Sequence, residues 1–283
     1  MNRINQPSPY QEEVAQYAKK DAIHALLFAA YIALMTIVFL IVVLVFNLSD
    51  NDRQISFVGR LLDVGMVTLY LVSLFVIVRK KGQGLRSLGL HLIEWKKALG
   101  AGLIFLAVNL FLFDGLLPGL LANWQMRSAL MTVWFVVFLL IKAFFEDVVF
   151  IGYMQTRIHG LIKNEILAIL AVAFIFATFH YPGMIALNIL ADGSFGLSFW
   201  GTLVFYTLFW MIGHIFMNIV FRRFRSIIPV TLLHFSINIA QIGALWEHRS
   251  EDGLNEILSV VIIGFVLLST CIILPHLKKC NHI

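Results

Sequence analysis

Charged residues are scarce in this sequence. Asp, Glu, Lys and Arg make up 13% of its 283 residues, and hydrophobic residues make up 60%. Soluble proteins carry roughly a quarter of charged residues, so the composition excludes an ordinary soluble domain and predicts a polytopic membrane protein. The net charge of +5 comes from basic residues spread over the loops. Because they form no basic face interleaved with aromatic side chains, we expect no nucleic-acid partner.

Cysteine is also scarce. The two cysteines are Cys271, inside an apolar run, and Cys280, near the C-terminus. This number excludes the disulfide framework of small secreted domains, and neither thiol has an obvious histidine partner in the sequence. The sequence therefore gives no sign of a Cys/His metal cluster.

Long apolar runs dominate the rest of the chain. Each has about the 17 to 25 residues that cross ~30 Å of hydrocarbon. The eight runs lie at about 24–46, 62–78, 98–121, 131–154, 166–182, 197–221, 227–245 and 255–275. The first is too long for the apolar region of a secretory signal, and we expect it to stay in the mature protein. We predict an all-α polytopic membrane helix bundle of about eight transmembrane helices, with the lipid bilayer as its surroundings.

The distribution of Lys and Arg predicts the orientation of these spans. Sixteen of the 21 basic residues lie in segments that share one side of the membrane with the N-terminus, and four lie in loops on the other side. The remaining one is Lys142, inside the fourth span. Since positive charge is retained in cytoplasmic loops, both termini are predicted to be cytoplasmic.

Two adjacent acids, Glu146 and Asp147, lie within the fourth apolar run. A charge at the centre of a bilayer costs on the order of 2.5 to 3.5 kcal/mol on insertion scales, so such acids usually mark a functional site. Neighbouring helical residues point about 100° apart, so one carboxylate can act while the other supports it. The alternative is a structural pair that stabilises helix packing.

Later spans carry possible partners for these acids. Phe176 and His180 lie one helical turn apart, and so do His234 and Asn238. A carboxylate beside histidine can take a proton from water, and His and Asn can stabilise an oxyanion. A single buried His is more often a core residue, so the indication of an active site comes from the combination. The segment 181–183, Tyr-Pro-Gly, is expected to stop the helix after His180.

Lys142 precedes Glu146 by four residues and therefore lies on the same helical face. It is expected either to neutralise that carboxylate in part or to extend to the membrane interface, and the sequence does not choose between these roles.

Other polar residues in the spans are expected to lie outside the site. His214 and Asn218 repeat the His-x-x-x-Asn spacing, but their position beside Arg222 predicts a place at the inner membrane interface. Asp63 and Asp114 fall near predicted outer ends, where solvated or helix-capping acids are expected.

Together the motifs resemble those of the CPBP family of intramembrane peptidases, the CAAX prenyl protease and bacteriocin-processing group also called ABI. That family carries Glu-Glu-x-x-x-Arg, Phe-x-x-x-His and His-x-x-x-Asn or Asp in separate spans. Here the corresponding segments are EDVVFI at 146–151, FATFH at 176–180 and HFSIN at 234–238. Two residues depart from the pattern: Asp147 replaces the second Glu, and Ile151 replaces the Arg.

The resemblance implies four regions. These are a cytoplasmic tail at 1–23, transmembrane helices with a basic inner loop at 24–97, a CPBP-like catalytic core at 98–245, and a last transmembrane helix and tail at 246–283.

The resemblance also implies an intramembrane endopeptidase that hydrolyses a peptide bond in a membrane-associated peptide or protein. Glu146 would activate water, while His180, His234 and Asn238 would orient it or stabilise the oxyanion. Asp147 and Lys142 would support these residues. The family has been described both as glutamic peptidases and as metallopeptidases. We favour a metal-free mechanism with no cofactor; if zinc is required, Glu146, His180 and His234 are the expected ligands.

The size of the chain favours a bacterial plasma membrane as its location. Two other functions are open. One is a non-catalytic scaffold or bacteriocin-immunity protein of the same fold, favoured by the loss of the Arg at Ile151. The other is a proton-coupled transporter, although no pair of broken helices in matching halves supports it.

Overall fold

The structure is a computed structural model. It describes the ranges 9–46, 57–91, 95–109, 125–126, 129–190, 193, 195–242 and 246–247. Asp114, Cys271, Cys280, the predicted span 255–275 and the second part of the predicted span 98–121 lie outside the described residues.

The described chain is almost entirely helical. Its α-helices are α1 (Pro9–Ala15), α2 (Lys19–Val45), α3 (Phe57–Lys80), α4 (Trp95–Asn109), α5 (Ala129–Glu146), α6 (Glu165–Phe179), α7 (Tyr181–Leu190), α8 (Leu197–Phe224) and α9 (Ile227–Ile242). Between α5 and α6 the chain continues through a π-helix (Asp147–Met154), one α-helical turn (Gln155–Arg157) and a 3₁₀ turn (Ile158–Gly160). A second 3₁₀ turn, Leu85–Leu88, precedes α4. Two-residue strands, β1 (Gln125–Met126) and β2 (Trp246–Glu247), pair antiparallel.

Four of the described helical segments are long and apolar enough to cross a membrane, by length and composition. They are Lys19–Val45, Leu61–Lys80, Glu165–Ala186 and Leu197–Phe224. Their outer surfaces carry large exposed apolar side chains such as Val45, Ile166 and Val204, which are suited to lipid. These observations confirm an all-helical architecture with membrane-spanning segments. The count of eight spans and the orientation stay predictions.

The helix of the fifth predicted span stops before the Tyr-Pro-Gly segment, as the sequence predicted, but a second helix continues the span beyond it. The helix is interrupted at His180, and α7 begins at the next residue and runs to Leu190. Pro182 lies in the first turn of α7, where its missing N–H breaks no helical hydrogen bond. Consequently His180 lies within a composite span, Glu165–Ala186, instead of at its outer end.

The helices that carry the three motif segments pack closely against their neighbours. Helix α9 packs against α4 and α5, and α8 packs against α6. The approach of α4 to α9 is very close at Gly102, because a Cβ there would lie 3.1 Å from the Cα of Pro229. Pro229 itself lies in the first turn of α9, as the sequence predicted.

The π-helical segment lies at the centre of this packing. All of its residues are buried. Gly152 lets the 3₁₀ turn before α4 approach, since a Cβ at this position would lie 2.5 Å from the carbonyl oxygen of Leu88. Thr156 Oγ1 donates to the carbonyl oxygens of Gly152 and Tyr153 at 2.8 and 3.0 Å. π-helical turns occur frequently at functional sites, and this one begins at Asp147.

Arg157 fixes the end of that segment. Its side chain is fully buried and donates hydrogen bonds to Gly152 O, Ser87 O and Gln83 Oε1 at 2.8 to 3.1 Å. The guanidinium also lies 4.6 Å from the ring centroids of Tyr17 and Tyr153. One side chain therefore links the π-helical segment, the turn before α4 and the start of α2.

Segments that the charge distribution assigned to the inner side meet at one end of the bundle. Ion pairs join Glu13 to Arg225 and Glu165 to Arg222, and Lys81 Nζ lies 3.2 Å from Asp21 Oδ1. The backbone N–H of Ile227 donates to the carbonyl of Gly89. Their proximity supports a common side of the membrane for the N-terminal tail and these loops.

Candidate active site

Glu146 and Asp147 lie where α5 passes into the π-helix, and both are buried. The α-helical regularity that separates neighbouring side chains by about 100° ends at this junction. Both carboxylates approach one imidazole. His234 Nδ1 lies 3.0 Å from Asp147 Oδ1, and His234 Nε2 lies 3.6 Å from Glu146 Oε2. The sequence predicted that one acid would act and the other support it, and the geometry gives the two acids different atoms of a shared histidine.

The contact with Asp147 sets the orientation of His234. Because a carboxylate oxygen accepts, Nδ1 carries the hydrogen and donates it. Nε2 is then the nitrogen with a lone pair, and it faces Glu146. Carboxylate–histidine pairs of this kind fix both tautomer and ring orientation in hydrolytic sites.

His180 approaches Glu146 from another side. Its Nδ1 donates to the carbonyl oxygen of Phe176 at 2.9 Å, which again leaves Nε2 with the lone pair. His180 Nε2 lies 4.0 Å from Glu146 Oε2. Two imidazole nitrogens of the same type therefore point towards one carboxylate oxygen. Separations of 3.6 and 4.0 Å exceed a hydrogen bond and suit groups that share a water molecule.

An aromatic wall surrounds these polar atoms. The ring centroid of Phe176 lies 5.0 Å from that of His180, 6.1 Å from that of His234 and 5.3 Å from that of Phe150. Phe176 is the aromatic residue of the Phe-x-x-x-His motif, and it is buried. Its ring therefore separates the polar cluster from the core behind it and lowers the dielectric around the carboxylate.

Asn238 lies one turn beyond His234 on α9 and is half-buried. Among the described residues no hydrogen bond joins Asn238 to Glu146 or to either histidine. The structure thus brings together three of the four expected catalytic side chains, and Asn238 stands on the same helix one turn away.

The ion-pair partner of Lys142 is Asp63, whereas the sequence suggested Glu146. Its Nζ lies 3.3 Å from Asp63 Oδ2 of α3. Asp63 was expected to be solvated or to cap a helix at an outer end; that expectation is wrong, because Asp63 is buried and ion-paired. The ion pair therefore links α5, which ends at Glu146, to α3.

His214 and Asn218 were expected at the membrane interface, and this is also wrong. Both side chains are fully buried, and the ring of His214 lies 5.0 Å from that of Phe176. Within the described part of the chain their polar side-chain atoms have no hydrogen-bond partner. Sequence spacing alone could not separate this pair from His234 and Asn238, because both pairs have the same His-x-x-x-Asn spacing.

Ile151, which replaces the family's Arg, is buried in the hydrophobic core. Asp147 has no need of an arginine for a partner, since His234 donates a hydrogen bond to it. Arg157 lies further along the same segment and donates hydrogen bonds to backbone carbonyls and to the neutral side chains of Thr156, Gln83 and Ser87. The departure at Ile151 thus leaves the cluster of acids and histidines intact.

The donor set of two histidines and one glutamate is chemically suited to zinc. Zinc bonds of about 2.0 to 2.2 Å place tetrahedral ligand atoms about 3.3 to 3.6 Å apart. His234 Nε2 lies at the upper end of this range, 3.6 Å from Glu146 Oε2, and His180 Nε2 lies outside it, at 4.0 Å. Among the residues that the structure describes, no group of three or more His, Cys, Asp or Glu forms a metal-binding arrangement.

Comparison with known proteins identifies one family. Residues 127–240 match the family model described as type II CAAX prenyl endopeptidase Rce1-like. The match spans all the motif segments, from Glu146 to Asn238, and lies within the predicted core at 98–245. No curated protein and no solved structure matches the chain.

Proposed function

Because residues 127–240 form an Rce1-like domain of the CPBP family, we propose that this membrane protein is an intramembrane endopeptidase. Its substrate is a membrane-associated peptide or protein, and Glu146 is the general base. The observation that carries the proposal is the convergence of the Nε2 atoms of His180 and His234 on Glu146 Oε2. These three atoms come from three separate helical segments. A chance contact between two polar side chains would not need three segments to converge.

The geometry supports a direct hydrolytic sequence. A water molecule held by Glu146 and an imidazole loses a proton to Glu146 while its oxygen attacks the carbonyl carbon of the peptide bond. The negative charge that develops on the carbonyl oxygen is stabilised by a nearby polar hydrogen, for which Asn238 is the nearest amide on α9. The proton on Glu146 then passes to the leaving nitrogen, the C–N bond breaks, and the carboxylate is restored.

The two histidines act differently from the base. Each donates its Nδ1 hydrogen to a fixed acceptor, Phe176 O for His180 and Asp147 for His234. Each therefore presents Nε2 as an acceptor towards Glu146 Oε2. One hydrogen of the water passes to Glu146, and the other is accepted by one of the two Nε2 atoms, which holds the water oxygen towards the substrate. Asp147 orients His234, and Lys142 supports α5 through Asp63.

We propose a metal-free mechanism. It is supported by the 4.0 Å between His180 Nε2 and Glu146 Oε2, which is wider than tetrahedral zinc coordination, and by separations of 3.6 and 4.0 Å that suit a shared water molecule. Purified protein that is active after dialysis against EDTA and contains less than equimolar metal is the expected result. Equimolar zinc that is lost together with activity would contradict the mechanism and leave the peptidase assignment standing.

The substrate is expected to be presented from the membrane. The matched family is described as a CAAX prenyl endopeptidase, and the bacterial plasma membrane that we propose as the location would favour lipid-anchored or hydrophobic peptides, bacteriocins included. We propose to test this with protein reconstituted in liposomes and two probes, a farnesylated CAAX peptide and an unprenylated hydrophobic peptide. Mass spectrometry of the products identifies the cleavage site.

Two substitutions test the enzyme assignment with either probe. Glu146→Gln removes the base and His180→Ala removes one acceptor; each is expected to lower kcat at least a hundredfold, the usual contribution of general-base catalysis. Glu12→Gln, at an exposed carboxylate outside the cluster, is the matched control and is expected to retain full activity. Equal cleavage by all four proteins would overturn the proposal.

The alternative is a non-catalytic scaffold or immunity protein with the same fold. It is favoured by Ile151, at the position where the family carries Arg. A biological phenotype that survives both Glu146→Gln and His180→Ala would support the scaffold, because binding to a partner does not require the base.

A further inference from the structure

His180 lies at an interruption of the helix, so its orientation is not fixed by helical packing on both sides. It follows the last residue of α6 and precedes the first residue of α7. The bond from Nδ1 to Phe176 O defines the tautomer, but one hydrogen bond at one edge leaves the ring free to swing about it. A displacement of this kind would move Nε2, the nitrogen that faces Glu146.

The ring of Trp210, on α8, covers one face of this imidazole. The two ring centroids are 4.2 Å apart and the ring planes are 20° from parallel. Phe176 and Phe179 meet the same imidazole at 74° and 86°, so they contact its ring at a steep angle and do not cover a face. Among the ring contacts of His180 that the structure describes, only that with Trp210 is parallel.

Trp210 is itself supported from the other side. Tyr206, one turn earlier on α8, lies 5.5 Å away at an interplanar angle of 30°. The stack of Tyr206, Trp210 and His180 thus reaches from α8 to the interruption between α6 and α7. A stack of three rings with a fixed helix at one end resists tilting of the ring at the other end.

A second contact joins α8 to the residue after the interruption. Tyr181 Oη and Thr207 Oγ1 lie 2.9 Å apart, and Thr207 Oγ1 donates to the carbonyl oxygen of Leu203 at 2.6 Å. Because Thr207 already donates to Leu203, the Tyr181 hydroxyl is the donor in the bond between them. The same stretch of α8, residues 203–210, therefore holds both His180 and Tyr181.

We propose that Trp210 is a positioning residue, which holds the His180 imidazole parallel to its indole so that Nε2 faces Glu146. The inference rests on the proposed peptidase function for its kinetic consequence, but the ring contact itself can be measured without activity. The role is assigned to the flat face of the side chain, so another aromatic ring at position 210 retains most of it and an aliphatic side chain does not.

Kinetics with the cleavable probe give the first test. Trp210→Leu is expected to lower kcat roughly threefold to tenfold, the range that one aromatic stacking contact corresponds to, with KM within about twofold of the wild type. Trp210→Phe is expected to retain kcat within about twofold. Trp200→Leu, the same exchange at an exposed position of α8, is the control for loss of a tryptophan and is expected to leave both constants unchanged.

NMR of protein with ¹³C-labelled histidine rings gives the second test. The His180 ring resonance, assigned by its loss in His180→Gln, is expected to lie upfield in the wild type because the indole ring current shields it. The shift is expected to disappear in Trp210→Leu and to persist in part in Trp210→Phe.

The two measurements separate the possible failures. An unchanged His180 resonance in Trp210→Leu would overturn the positioning role, whatever the protein's activity. A changed resonance with unchanged kcat would overturn it as well, since the stacking would then have no catalytic effect. If the wild type cleaves neither probe, the peptidase proposal fails, and the resonance alone decides whether Trp210 orients His180.

Discussion

At the scale of single residues, the site is built from side chains that each have one task and one fixed partner. Asp147 accepts from Nδ1 of His234, and Phe176 O accepts from Nδ1 of His180. These bonds leave both Nε2 atoms facing Glu146. Glu146, the proposed base, is therefore the member of the cluster that has no direct hydrogen-bond partner among the described residues, as a base that binds water requires.

The orienting role of Asp147 leads to a prediction. Asp147→Asn keeps the size of the side chain but removes its charge and allows the amide nitrogen to face His234. We expect kcat to fall at least tenfold, since loss of an orienting partner typically costs 10- to 100-fold, and to fall less than in Glu146→Gln. Asp21→Asn, at a carboxylate paired with Lys81, is the control. Equal kcat in Asp147→Asn and the wild type would show that His234 is oriented by other contacts.

The ion pair of Lys142 and Asp63 leads to a second prediction. Lys142→Met leaves the buried Asp63 carboxylate without its cation, and we expect a lower midpoint of thermal unfolding in detergent. Adding Asp63→Leu removes the unpaired charge and is expected to recover part of the loss, with a coupling of about 1 to 3 kcal/mol in the double-mutant cycle. Strictly additive changes would show that the two side chains do not interact.

Comparison of these residues with the sequence shows what a single chain can reveal. Glu146, His180 and His234 were predicted because ionisable residues in apolar runs are costly and therefore few. The partner of Lys142 was not predicted, because Asp63 lies on another helix and only packing brings them together. Trp210 was not predicted either, since a tryptophan in an apolar helix is indistinguishable from any other core or lipid-facing aromatic residue.

At the scale of elements, irregular segments position the site. The acids stand at the start of a π-helix, and His180 stands between two helices. The sequence predicted the stop at His180 from the Tyr-Pro-Gly segment, but it predicted neither the helix that follows nor the π-helix. The π-helix depends on Thr156 and Arg157, which bond to its carbonyl groups, and α7 forms because Pro182 falls where a helix tolerates it. Apolar periodicity predicts that a span exists and carries no signal for such local departures.

Substitution of Arg157 tests whether its hydrogen bonds stabilise the π-helical segment. Arg157→Lys keeps the charge but cannot reproduce the fork of hydrogen bonds to Ser87, Gly152 and Gln83. We expect a loss of about 2 to 5 kcal/mol of stability, because buried acceptors lose their donors, measured by unfolding in detergent. Arg223→Lys, the same exchange on α8 at a half-buried position, is expected to have little effect. Equal stability of the two variants would contradict the role given to Arg157.

Helix α1 docks on the inner end of the bundle through Tyr10 and predicts a response to pH. Tyr10 Oη lies 3.2 Å from His159 Nε2, and Arg222 and Arg225 lie against the Tyr10 ring. Burial raises the pKa of Tyr10 to about 12, so its hydroxyl stays a donor at physiological pH. Burial also lowers the pKa of His159, opposed by Glu165 and reinforced by Arg222 and Lys163.

The lowered pKa of His159 determines the direction in which stability changes with pH. An unfolded histidine has a pKa of about 6.5, so the folded state binds fewer protons below that value and loses stability as pH falls towards the lowered pKa. We expect the amides of residues 10–15 to be less protected from hydrogen exchange at pH 5.5 than at pH 7.5, after correction for intrinsic rates. His159→Gln is expected to remove this difference, and the exposed-site variant His24→Gln to retain it. A difference that persists in His159→Gln would assign the response to another group.

At the scale of the whole molecule, contacts at the two ends of the bundle join segments that the sequence places on the same side of the membrane, and the orientation itself stays a prediction. The N-terminal segment, the loop around Lys81 and the ends of α8 and α9 meet at one end. β1 and β2, which the span boundaries place on the outer side, pair with each other. The family match covers 127–240, and the segment before α2 contacts this region, Tyr10 through His159 and Tyr17 through Arg157.

The orientation and the number of spans are predicted to give a specific labelling pattern. In a background with Cys271→Ala and Cys280→Ala, a membrane-impermeant maleimide added to intact cells is expected to label Asn51→Cys, in the first outer loop. Gly84→Cys, in the basic inner loop, is expected to be labelled only after the membrane is permeabilised. Restoring Cys280 alone tests the last predicted span, 255–275: with eight spans it lies inside and is labelled only after permeabilisation. Labelling of Cys280 in intact cells would mean an odd number of spans, and labelling of Gly84→Cys before Asn51→Cys would reverse the orientation that the positive charges predict.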